Sequence, residues 1–437
     1  MIRQFLNSLL LYLNWFALEV RARVPGLKRR ADQAGKRILL LVDQFPPAVT
    51  GGVHRPLSFA KHAKEFGWEM TVVVGSAPSK VGPVGQELRR MVPPTVEVHD
   101  LMITEPPIAW RLIPHLDGGF FKAIQVVREV RKLAPKDTAV IVASGPSFDP
   151  FVAGYFLKVF LGVALVLDYR DEWTECPFAF VGTGPFNVWW ERRCLAASDL
   201  VLFTTTSMMT QALNRFPRLA QAKVRVVENG AAFDEFESDR TDRLPPGNAE
   251  ARHVTISFVG NLAEHTNPDS FLATLASVLD RRNDLRPKLR LIWVGNKSAE
   301  AQTALRSFRH HDVFEYVDQT PRRETFGLMQ RSTLLLLIVN QNMDRYRPGK
   351  LYDYLASDTP ILVYGSKGEA GSIVEELGAG MVVQDRDDQA LERAFDEAME
   401  GRTSNRDRAK RQIWIRRHDR RVLAKRLFEA LDGLRHR

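Results

Sequence analysis

The chain has 437 residues, 45 % of them hydrophobic and 26 % charged, which is too long for one compact core and excludes wholesale disorder, a collagen-like chain and a polytopic membrane protein. Its two cysteines, Cys176 and Cys194, exclude a disulfide scaffold and a four-thiolate zinc site, and fit a reducing compartment. The net charge of +9 sits at the ends, +5 in residues 1–36 and +9 in residues 401–437 against −5 between them; this argues against a nucleic-acid reading surface and suits an anionic membrane, with a solvated basic helix as the alternative.

Residues 5–20, FLNSLLLYLNWFALEV, are mostly apolar but short of the roughly 20 residues a bilayer span requires. With Arg21, Arg23, Lys28, Arg29 and Arg30 behind it, the segment 1–35 suits a helix lying in a membrane interface; a helix packed on protein, or a span or signal peptide, are the other readings. Beyond it, short Val/Ile/Leu runs alternate with helical patterns such as Pro56–Phe66 and Ser270–Arg281. Strands are expected at Arg37–Asp43, Met70–Val74, Ala139–Ala143, Val163–Asp168, Leu200–Thr204 and Val224–Glu228. A second set is expected at Thr255–Gly260, Arg290–Gly295, Val313–Val317, Thr333–Val339, Pro360–Tyr364 and Gly380–Val383. Continuous apolar runs of this length read as strands buried on both faces, as in parallel sheets.

The pattern predicts an α/β protein of two doubly wound, Rossmann-like domains facing across a cleft, with an amphipathic N-terminal helix and a basic C-terminal helix. The expected division is a first domain over 36–235, a polar linker over 236–253 containing Pro245-Pro246-Gly247, a second domain over 254–402, and a tail over 403–437. In that tail Ile413, Trp414, Val422, Leu423, Leu427, Leu431 and Leu434 form an apolar stripe that should pack on the body.

Such sheets bind ligands beyond the carboxyl ends of their strands, so the loops there hold the candidate residues. The loop after the first strand carries Gly51 and Gly52, whose backbone can approach a phosphate or sugar, then His54 and Arg55 as acceptor-side candidates. Without G-x-G-x-x-G, it is no dinucleotide fingerprint. After VALVLD, Arg170 and Asp171 are candidates to line the reaction site; a surface ion pair is the alternative. Arg345 and Arg347 precede a helix carrying Lys350 and Asp353 on one face, where a cation suits a diphosphate and a carboxylate a ribose. An ordinary i, i+3 salt bridge is the alternative. The turn at Gly371 and Ser372 adds N–H groups, and Asn229-Gly230 reads as a turn.

Taken together, LLLVDQFPPAVTGGVHRPLSFAKHAKEFGWEMTVVV, LDYRDEW, VVENGAAFDEF, FVGNLAEHTNP and RPGKLYDYLASDTPILVYGSKGEAGSIVEELGAG resemble a GT-B-fold glycosyltransferase of the family 4 type, in its bacterial surface-polysaccharide branch. The resemblance spans about Arg37 to Leu434. It implies a retaining, metal-independent transfer from a nucleotide-sugar donor, held mainly by the second domain, to a glycan or lipid-linked acceptor held mainly by the first. The nucleotide-sugar would be a substrate, so no cofactor is implied, and the enzyme would be cytoplasmic, peripheral on the inner face of the membrane. Asp353 matches the second glutamate of the family's E-x-x-x-x-x-x-x-E pattern, which binds the donor ribose, and Arg345 stands where the first would be. The turn at Gly260 and Asn261 lacks the family's basic pair for the diphosphate, and Lys350 is expected to supply that charge. A sugar-nucleotide epimerase and a non-catalytic scaffold of a polysaccharide assembly complex are the alternatives; the apolar N-terminal segment disfavours the first, and Lys350, Asp353 and the Arg345–Arg347 loop together disfavour the second.

Overall fold

The computed structural model describes residues 35–435 apart from 77–80, 102–117, 134–136, 232, 234–252, 263–265, 318–321 and 403–406, together with Leu13, Phe16 and Val20. Most of the N-terminal segment and the expected linker, apart from His253, lie outside the described residues. The chain forms two compact units, residues 1–228 with 423–437, and residues 229–422.

The first unit is built on a parallel sheet of β1 (Arg37–Val42), β2 (Glu69–Val74), β3 (Glu97–Asp100), β4 (Thr138–Gly145), β5 (Ala164–Tyr169), β6 (Leu200–Phe203) and β7 (Val224–Val226), in the order β3-β2-β1-β4-β5-β6-β7. Its helices are α1 (His54–His62), α2 (Pro83–Arg90), α3 (Gly118–Leu133), α4 (Asp149–Leu161), α5 (Pro185–Ala197) and α6 (Thr206–Arg215). β1 is central, with Leu39 paired to Thr71 of β2 and to Ile141 of β4. Its run Ile38–Val42 is buried because helices cover both faces of such a sheet. β3, EVHD, has no counterpart among the expected strands. It is an edge strand, and its charged residues keep that edge from pairing with another chain.

The second unit repeats the plan with β8 (Val254–Val259), β9 (Leu289–Val294), β10 (Phe314–Val317), β11 (Leu334–Val339), β12 (Ile361–Gly365) and β13 (Gly380–Gln384), all parallel, in the order β10-β9-β8-β11-β12-β13. It carries α7 (Asp269–Arg281), α8 (Ala299–Ser307), α9 (Arg322–Arg331), α10 (Gly349–Ser357), α11 (Gly368–Glu376), α12 (Asp388–Met399) and α13 (Arg408–Arg417). In α13 the Arg411 guanidinium is fully buried and donates to the carbonyls of Tyr354, Leu355 and Thr359, covering the orphan acceptors at the end of α10.

The last helix, α14 (Arg420–Arg435), returns to the first unit. Leu423, Leu427, Phe428, Leu431 and Leu434 are buried in the same core as Ile38 and Val72, and Phe428 stacks on Phe66 at 5.4 Å. Ile413 and Val422 of the stripe stay exposed. Among the described residues no helix is long and apolar enough to cross a membrane.

Candidate functional site

Each sheet reverses its strand order beside its first strand, between β1 and β4 and between β8 and β11, and open α/β sheets bind ligands at that point. The candidate residues gather at both places.

In the first unit, Arg170 follows β5 and reaches back across the switch point. Its Nη1 donates to the Gly52 carbonyl at 2.6 Å, its Nε to the Gly145 carbonyl at 3.2 Å, and its Nη2 to the Pro146 carbonyl. One guanidinium thus ties the loop after β1 to the loop after β4. A Cβ at Gly52 would run into that guanidinium, so a larger residue there would make Arg170 shift. Gly51 is exposed with open space at its Cβ position, and His54 is half-buried at the start of α1.

Arg55 does not face solvent. Its Nε and Nη2 hold the Asp168 carboxylate at 2.7–3.1 Å, Ser144 Oγ donates to the same carboxylate at 2.8 Å, and Arg55 Nη1 donates to the Glu228 carbonyl at 2.8 Å. The Glu228 carboxylate is in turn paired with Arg426 of α14 at 3.0 Å. Sequence reasoning took Glu228-Asn229-Gly230 as a turn and missed this role of Glu228, whose partner lies 198 positions away.

Asp171 stands beside Arg170, and burial raises its pKa against the opposing pull of that guanidinium. Its loop is held from below. Trp173 stacks on Phe148 at 4.7 Å and donates to Asn187 Oδ1 at 3.2 Å. The Glu191 carboxyl accepts from Tyr169 Oη at 3.1 Å and from both the N–H and the hydroxyl of Thr174. Burial pushes Glu191 up to about 7. Asp149, at the start of α4, is likewise pushed up to about 7 by burial. Its Oδ2 accepts from Ser147 Oγ at 2.9 Å, while Oδ1 is buried with no hydrogen-bond partner among the described residues. It lines a small cavity with Asp43 and Lys122. Neither acid stood out in the sequence: Glu191 sits between Trp190 and Arg192, as if on a mixed helix face, and Asp149 within an Asp-Pro helix start.

In the second unit, α10 opens at Gly349, and Lys350 extends from its first turn toward the end of β8. Its Nζ lies 3.8 Å from the centroid of the Phe258 ring. A Cβ on Gly260, whose φ is +128°, would come within 3.3 Å of that nitrogen. Gly260 therefore leaves the amine room that any other residue would fill. Lys350 Nζ is buried and has no hydrogen-bond partner among the described residues, and burial lowers its pKa to about 7. Asn261 is exposed beside it; part of the remaining turn, 263–265, lies outside the described residues.

Asp353 is half-buried one turn along α10. The two arginines ahead of the helix are not equivalent to Lys350. Arg347 Nε is paired with Glu369 of α11 at 2.6 Å, and Arg345 is half-buried. Gly371 and Ser372, expected on a turn, lie inside α11. The Ser372 hydroxyl donates to the Gly368 carbonyl, and Gly371 is a packing position against Val382 and Lys367.

Residues 50–230 match the model of the glycosyl transferase 4-like domain. No curated protein matches the chain. Among solved structures, HepE of Anabaena in complex with UDP is 15 % identical, with a TM-score of 0.63, over 91 % of this chain and 100 % of that one. A trehalose-6-phosphate protein from E. coli bound with UDP-2-fluoro glucose is 14 % identical, TM-score 0.65, over 90 % of this chain and 98 % of that one. WaaG, a glycosyltransferase involved in lipopolysaccharide biosynthesis, is 12 % identical, TM-score 0.63, over 90 % and 100 %. At these identities the likeness establishes the fold, which is the two-domain GT-B fold.

Proposed function

We propose that this GT-B chain, whose residues 50–230 are a glycosyl transferase 4-like domain, moves a sugar from a nucleotide-sugar donor to a hydroxyl of a glycan or lipid-linked acceptor. The observation that carries the reading is Lys350: a buried amine with no acceptor among the described residues, at a helix start, beside a glycine that leaves the amine room. A diphosphate supplies what that amine lacks, and the free N–H groups at the start of α10 add to the attraction. Asp353, one turn on, accepts the ribose hydroxyls.

In the transfer, the bond from the anomeric carbon to the diphosphate oxygen breaks and its electron pair stays on the diphosphate. A new bond forms to the acceptor oxygen, which gives up its proton. Fixed cations stabilise the departing charge without reorganisation at the moment of reaction. In this reading the Asp171 carboxylate balances the cation-like sugar, and Arg170 ties the loop after β1 to the loop after β4. The reaction is retaining and independent of a metal in this reading, and serves surface-polysaccharide assembly. Leu13, Phe16 and Val20 are helical, share one face by their spacing and are 47–63 % exposed, which supports membrane contact through the N-terminal segment.

The test is a thermal-shift screen of the purified protein against UDP, GDP, ADP and their sugar conjugates. A donor at a hundred times its Kd stabilises the folded state by about 2.7 kcal/mol. No shift with any of them, at millimolar concentration, refutes the reading. Proton NMR of the anomeric product then decides retention against inversion.

A further inference from the structure

We infer that a nucleoside diphosphate binding at Lys350 draws a proton from solvent onto the Lys350 amine, so that the site's charge is installed by the ligand. The inference rests on the donor-site reading and deepens it.

The geometry that carries it is the isolation of the amine. Nζ is buried against the Phe258 ring and the Gly260 backbone, and among the described residues no carbonyl, hydroxyl or carboxylate lies within hydrogen-bond distance. An ammonium held there would keep neither water nor an acceptor, a cost of several kcal/mol per ion even after relaxation. Neighbouring charge does not offset it. β8 contributes the uncharged Phe258, Gly260 follows it, and β11 is apolar throughout. α9 carries Arg322, Arg323, Glu324 and Arg331, and α13 carries Arg408, Lys410, Arg411, Arg416 and Arg417. Of these, Arg411 is bound to carbonyls at the other end of α10. On α10 itself the carboxylate is Asp353. Burial lowers the amine's pKa to about 7. A diphosphate beside Nζ supplies both acceptor and counter-charge, which favours the protonated form. Between pH 7 and 9 the empty site is therefore mostly free base, the occupied site ammonium, and binding takes up a proton.

The test is isothermal titration of the full-length protein with UDP, or with whichever of UDP, GDP and ADP binds, at pH 8 in phosphate and in Tris. At that pH the terminal phosphate of the nucleotide is already ionised. The expected result is an observed enthalpy that differs between buffers by close to one proton taken up, and an affinity that weakens about tenfold per pH unit from 7 to 9. Lys350→Arg keeps a permanent charge and should bind without proton uptake; Lys350→Met should bind more weakly, also without it. Binding by the natural protein with no uptake, or uptake that persists in Lys350→Met, overturns the inference and leaves the donor site standing. Failure of every nucleotide to bind overturns the donor-site reading and this inference with it.

Discussion

Arg55 and Asp168, 113 positions apart, form a fully buried ion pair whose guanidinium also caps the Glu228 carbonyl. Ser144 takes a further lone pair of the carboxylate, so the charges are matched by hydrogen bonds as well as by each other. The pair joins α1, β4, β5 and the end of the first unit at Glu228. Removing one partner strands the other in a dry interior. Arg55→Met should destabilise the protein by about 3–5 kcal/mol, read as a fall in the denaturation midpoint. Arg55→Met combined with Asp168→Leu should recover a large part of that loss, because no unpaired charge remains. A double variant as unstable as the sum of the singles would show that the pair's value lies in its shape and not its charge.

The contact between Gly52 and Arg170 makes a second prediction. Gly52→Ala places a methyl group against the Arg170 guanidinium, which must swing away and surrender its bonds to Gly52 and Pro146. Each hydrogen bond to a charged group is worth about 1.5–3 kcal/mol, so the single substitution should be costly and activity should fall with it. In an Arg170→Ala background the same Gly52→Ala change should cost far less. Equal costs in both backgrounds would remove Arg170 from its role as the tie between the two loops.

The buried acids and the buried amine bend stability in opposite directions with pH. Asp149 and Glu191 have folded pKa values near 7, raised by burial from 3.8 and 4.5. Between those limits the folded state binds more protons than the unfolded one, so stability falls as pH rises from about 4 to 7. Asp149→Asn and Glu191→Gln should each flatten that slope, measured as melting temperature against pH.

Lys350 behaves the other way. Burial lowers its folded pKa to about 7 from the ordinary 10.5, so the unfolded state binds the extra proton and stability rises between pH 7 and 10.5. Lys350→Met should therefore raise the melting temperature of the empty protein, most at pH 6–7 and little above pH 10, by an amount on the order of a few kcal/mol at its largest. A destabilised Lys350→Met at pH 6 would mean that the amine has an acceptor in solution.

The strands were readable because a sheet covered on both faces demands unbroken apolar runs, and Leu39–Val42 or Leu334–Val339 can be little else. β3 was not readable, since Val98 is the sole apolar residue among Glu97, His99 and Asp100, and an edge needs no more. Site residues divide along a similar line. Lys350 was visible as a cation at a helix start, because that is local. Its lack of a hydrogen-bonded carboxylate among the described residues was not, for the i, i+3 spacing to Asp353 suggests a salt bridge. Arg55, Arg170 and Arg347 looked available for ligand, yet Arg55 holds Asp168, Arg170 holds three carbonyls and Arg347 holds Glu369. Where a long side chain finds its partner is decided by strands and helices far away in the chain.

The placement of α14 has a consequence for how the protein is made. The core around Ile38 and Val72 is completed by Leu427, Phe428 and Leu431. During synthesis, which generally folds domains in order from the N-terminus, the first-made unit must wait until α14 has left the ribosome. A stop codon between those for Val422 and Leu427 would thus damage the first-made unit, although the second unit precedes it in the chain.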